Sequence, residues 1–99
     1  MTLRIERFRA KHGTRIRLSG ELRFEQLGDV RMEMKGGGPQ VTLDLEEVVH
    51  VDIAAVRFLN ACEARNVEIV NCAHYIREWM SLEHKQTQSK EELADDTFQ

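Results

Sequence analysis

No stretch of this 99-residue sequence approaches the ~20 consecutive apolar residues that a helix needs to span a bilayer, which excludes a helical membrane anchor within it. The basic opening, MTLRIERFRAKHG, lacks the apolar core of a signal peptide, so export is not expected and a cytoplasmic address is. Cysteine is scarce. Cys62 and Cys72 fall on a predicted helix and at a predicted strand end, and without an export signal they are expected to be two reduced thiols. They also form no spaced pairs with His50, His74 or His84, so no structural metal site is expected, nor any cofactor.

A catalytic constellation is missing as well. Cys72 and His74 are two residues apart at a helix start, where side chains diverge, and no third group is placed to orient a base beside them or beside Asp44. The chain is therefore expected not to be an enzyme. Gly36, Gly37 and Gly38 do not make a phosphate loop, because they follow a helix and precede a strand, with Pro39-Gln40 where Lys-Ser/Thr would stand.

What remains is a soluble-type composition, 41% hydrophobic and 31% charged, long enough for one core. The net charge of −3 hides an asymmetry. Residues 1–20 carry Arg4, Arg7, Arg9, Lys11, Arg15 and Arg17 against Glu6 alone, a net +5, whereas residues 83–99 are net −3. A basic hairpin could contact phosphates, but charge on an edge strand more commonly serves to discourage aggregation, and no nucleic-acid partner is expected.

Thr2 to Arg9 reads as a strand with Phe8 out of phase, as at a bulge, and Thr14 to Ser19 as its hairpin partner after a Lys11-His12-Gly13 turn. From Glu21 the period is helical, with Phe24, Leu27, Val30 and Met34 on one stripe, until the glycine run and Pro39 stop it. The stretch Val41–Cys62 organises the rest. Val41, Leu43 and Leu45 alternate as in a strand, an acidic turn follows at Glu46-Glu47-Val48, and Ala55, Phe58, Leu59 and Cys62 repeat as in a helix. Asp52 sits where the period changes, placed to cap the helix that it opens.

Val67 to Val70 reads as a short strand, and a last helix spans about Ala73 to His84. Its Tyr75, Ile76, Trp79, Met80 and Leu82 cluster at helical spacing, expected mainly as core rather than as an exposed binding stripe. The expected architecture is one α/β domain over residues 1–84, with a mixed sheet in the order β-β-α-β-α-β-α. Residues 85–99 are expected to be a polar, loosely held tail.

Leu18-Ser19-Gly20-Glu21-Leu22, the strand Val41-Thr42-Leu43-Asp44-Leu45, the turn Glu46-Glu47-Val48 and Val51-Asp52 before an apolar helix resemble a STAS domain. That module forms bacterial anti-sigma factor antagonists and the tails of sulfate transporters, and the likeness runs from about Leu3 to Leu82. The resemblance implies a protein-docking function at the helix start. There the family carries an aspartate, two hydroxyl residues and a glycine, the second hydroxyl being phosphorylated by a partner kinase. A phosphate adds about −1.5 to −2 charges beside the interface and can release the partner.

Here Asp52 matches the aspartate, but Ile53, Ala54 and Ala55 occupy the other three positions. Ala54, at the phosphoacceptor position, has no oxygen to modify. The resemblance thus implies a non-enzymatic interaction module whose docking is not switched by phosphate at that helix start, with a kinase-type anti-sigma factor as the leading partner class. An accessory subunit of a membrane transport ATPase is the alternative, and a small-molecule-binding domain or enzyme using a pocket near His50 is the third. The residues expected to meet a partner are Glu46, Glu47, His50, Asp52, Ile53, Ala54 and Arg57. Asp52 competes in this with a purely capping role, and the glutamates with a solvated loop.

Overall fold

The structure is a computed structural model that describes residues 3–11, 13–37 and 40–97, and of these the side chains of all but Ala10 and 86–97. Thr2, His12, Gly38, Pro39 and residues 98–99, which enter the readings above, lie outside the described residues.

The chain is an α/β domain in the expected order: β1 (Leu3–Ala10), β2 (Gly13–Leu22), a 3-10 turn (Phe24–Gln26), α1 (Leu27–Lys35), β3 (Val41–Val51), α2 (Ile53–Ala64), β4 (Glu68–Val70) and α3 (His74–Thr97). Four strands form one mixed sheet in the order β1-β2-β3-β4. β1 and β2 pair antiparallel, while β2, β3 and β4 run parallel. Two successive right-handed crossovers put α1 and α2 on the same face. The core lies beneath them: Ile16, Leu18, Leu43 and Leu45 of the sheet meet Val30 of α1, Val56 and Leu59 of α2, and Ile76 and Met80 of α3. No helix among the described residues is long and apolar enough to cross a membrane.

Several boundaries differ from the sequence reading, each for a tertiary reason. β2 runs on to Leu22, where a helix was expected from Glu21, because Glu21 and Leu22 pair with His50 and Val51 of β3 and Leu22 is wholly buried. The first helix is accordingly shorter, and Phe24 stands 69% exposed instead of on the core stripe. The expected acidic turn at Glu46-Glu47-Val48 is strand, with two register shifts against β2. Gly20, at φ 103°, takes the left-handed backbone next to one of these shifts, a conformation that other residues adopt only with strain.

The bulge expected at Phe8 is absent, since the β1–β2 register is unbroken from Leu3↔Gly20 to Ala10↔Gly13. Arg7 takes the position facing the helices and reaches Glu33 of α1 at 2.7 Å, which leaves Phe8 on the helix-free face under the Arg17 guanidinium, 5.7 Å from the ring centroid. In α3, Ile76 and Met80 are core as expected, but Tyr75 and Leu82 are exposed. The Tyr75 hydroxyl donates to the Val49 carbonyl at 2.7 Å, beyond the point where β4 stops pairing with β3. α3 also remains helical to Thr97, past the expected end at His84, in a segment rich in good helix formers and free of glycine and proline.

Candidate functional site

Asp52 has extended backbone at φ −109° and follows directly on β3, so its side chain turns back over the first turn of α2. One carboxylate oxygen accepts from the Ala55 N–H at 2.9 Å, satisfying a donor that the helix itself cannot. The other accepts from the Phe24 N–H, also at 2.9 Å. A single carboxylate therefore caps α2 and fixes the 3-10 turn that precedes α1. The sequence reading found the first role but not the second, because the partner is 28 residues away along the chain.

Around this anchor Ile53 is 44% exposed, Ala54 is half-buried, and Arg57 projects across α2 to Glu83 of α3 at 2.9 Å. Phe24 joins them through its bond to Asp52. Glu46, Glu47 and His50 are exposed on β3. The two glutamates lie roughly 17–20 Å back along the strand from Asp52, at ~3.3 Å per residue, so the structure does not gather them at the helix start. His50 pairs in register with Glu21, does not line the groove described below and has no ionic partner among the described residues.

Asp44 behaves differently from an outward-facing strand residue. It points to the helix-free face of the sheet, yet its side chain is fully buried. Arg15 donates to Oδ2 from Nη2 at 2.7 Å and from Nε at 3.2 Å, and the Arg17 guanidinium lies 3.6 Å away. The Glu46 N–H and the Asn71 side-chain amide donate to Oδ1 at 3.0 and 3.2 Å. Burial acts to raise the Asp44 pKa, but the Glu46 N–H, Arg15 and Asn71 together hold it below 3.8. No histidine is among these partners, and the arrangement is that of a saturated structural carboxylate linking β2, β3 and the end of β4.

The thiols are poorly placed for chemistry. Burial pushes Cys62 up to about 11, against the opposing pull of Arg31 and Arg65. Burial also raises Cys72, opposed by Arg77 and assisted by Glu63. Among the described residues no group of three or more His, Cys, Asp or Glu side chains is arranged to hold a metal ion.

A feature that the sequence reading missed opens beside the α2 start. Between α1 and α2 runs a groove of about 860 Å³, whose apolar lining includes Leu27, Met34, Val41, Phe58, Cys62 and Val67. Four cations border it, Arg31 and Lys35 from α1 and Arg57 and Arg65 from the α2 side, and no carboxylate does among the described residues. The signal was present in the spacing. Arg31 and Lys35 are four apart, as are Arg57, Ala61 and Arg65, so each set shares one helix face. That the faces meet follows only from the topology. Neither the known family models nor the curated proteins give a match to this chain.

Proposed function

We propose that this protein is a non-enzymatic docking module of the STAS type that binds a regulatory protein in the cytoplasm through the start of α2. The observation that carries the reading is the pairing of an internally committed Asp52 with exposed apolar neighbours. Both oxygens of its carboxylate are engaged within the chain, while Ile53 and Phe24 stand in solvent beside it. Single exposed apolar residues are common on any protein, but two that flank one rigid helix start make a small anchored patch suited to burial against a partner. Arg57 supplies a charged edge to the same patch.

With Ala54 at the phosphoacceptor position, no hydroxyl is available there, so the association is constitutive with respect to that modification. A kinase-type anti-sigma factor is the leading partner class.

Paired affinity capture tests the reading. Wild-type protein and Ile53→Asp are used as baits in the native extract, with Arg9→Asp, remote from the patch on β1, as a control. A protein retained by the wild type and the control but lost with Ile53→Asp supports α2-start docking. Its identity separates a regulator from a transport ATPase. Equal retention by all three baits, or by none, contradicts it.

A further inference from the structure

The groove between α1 and α2 is polarised along its length. Both helices follow strands that run parallel, so they point the same way and their C-terminal ends lie together. At that end Lys35 is the last residue of α1, Arg65 is the C-cap of α2, and Arg31 lies one turn back. Arg31, Arg65 and Cys62 all line the groove. Arg31 stacks on Phe58 at 5.0 Å, and none of the three cations has an ion-pair partner among the described residues. At the other end Arg57 is already paired with Glu83, and Phe24, Leu27 and Ala54 make the lining apolar.

We propose that this groove binds a free single-chain amphipathic anion, a carboxylate or phosphate group joined to an apolar body. The charged group meets Arg31, Lys35 and Arg65, and the body lies along Phe58, Ala61 and Leu27. The volume of about 860 Å³ is within the ~300–1,000 Å³ range of small-molecule sites. An acidic helix fits less well, because it would need cations along its whole length, whereas the unpaired ones sit at one end.

The helix C-termini themselves present carbonyl oxygens, which repel an anion. Binding must therefore depend on the side-chain cations, and this makes charge reversal a sharp test. The groove borders the docking patch at Phe24, Ala54 and Arg57, but its anion end lies away from that patch and its test needs no partner protein.

The full chain is titrated calorimetrically with decanoate, decyl phosphate and uncharged decanol, each below micellar concentration, and the amide resonances are followed in parallel. The expected result is binding of at least one anion about tenfold or more tighter than decanol, with shifts confined to α1, α2 and the start of β3. Arg31→Glu/Arg65→Glu weakens the anion about tenfold or more with unchanged circular dichroism, and added salt weakens it too. Should the double variant lose its fold, Lys35→Glu, at an exposed helix end, is expected to weaken binding in the same direction. Three results overturn the proposal: neither anion binds, decanol binds as well, or the variants leave affinity unchanged.

Discussion

Asp52 and Asp44 are both carboxylates held by backbone and side-chain donors, but their surroundings give them different consequences. Asp52 is partly exposed and closes two element starts. Asp52→Ala is expected to cost about 1–2 kcal/mol in denaturant-monitored stability, the upper range for a helix cap, since the anchor on Phe24 is lost with it. Asp52→Asn keeps an acceptor and should cost less. Asp44 is fully buried among Arg15, Arg17, Asn71 and the Glu46 N–H. Its removal leaves Arg17 Nε, already without a hydrogen bond, further from any acceptor. Asp44→Ala is expected to destabilise by about 3 kcal/mol.

The sign of the Asp44 pH effect follows from its lowered pKa. A carboxylate held below its unfolded value contributes stability that is complete above about pH 5 and is lost as pH falls through the folded-state value, below 3.8. Acid titration of the unfolding free energy should show this loss in the wild type and a flatter profile in Asp44→Asn.

Two positive-φ asparagines show how a shared local geometry can serve different elements. Asn66, at φ 68°, ends α2: its N–H donates to the Glu63 carbonyl at 3.1 Å and the Val67 N–H donates to the Cys62 carbonyl at 3.0 Å, the two bonds of a Schellman cap. Nothing further is asked of its side chain among the contacts described, so Asn66→Gly should stabilise by up to about 1 kcal/mol. Asn71, at φ 55°, ends β4 and also donates to Asp44, so Asn71→Gly should destabilise despite the easier backbone. Thermal unfolding of the two variants is expected to move in opposite directions. At the start of α2 the relevant change is Ala54→Glu, which places a fixed negative charge where the resembling family carries phosphate. It should weaken partner capture about tenfold while leaving the fold intact.

The elements that were legible in the sequence are those whose period is set by one buried face. Leu43 and Leu45 and the stripe of Ala55, Phe58, Leu59 and Cys62 are buried, and Val41, half-buried, packs against the same core. What could not be read was decided by pairing between distant segments. Glu21 and Leu22 look helical in isolation and are strand because His50 and Val51 lie opposite, and the acidic run at Glu46 is strand for the same reason. Asp52 shows the split within one residue. Its cap of Ala55 is local and was foreseen, whereas its hold on Phe24 depends on the crossover that brings the end of β3 beside the end of β2.

Across the whole molecule the helices lie on one face of the sheet, which leaves the chain with two unlike surfaces. The helix side carries the α2 start and the cation-bordered groove, which share Phe24, Ala54 and Arg57. The helix-free side presents Phe8 under Arg17 and the Arg15–Asp44 network, a surface whose charged groups are largely occupied with one another. This division gives the proposed docking function a location that can be contradicted. The most direct measurement is the amide chemical-shift footprint of the captured partner on the isotopically labelled chain. Shifts are expected to centre on Phe24 and on Asp52 to Arg57 at the start of α2, with β1 and the outer face of β2 unchanged. A footprint centred on Phe8, Arg15 and Arg17, with the α2 start silent, would contradict that location.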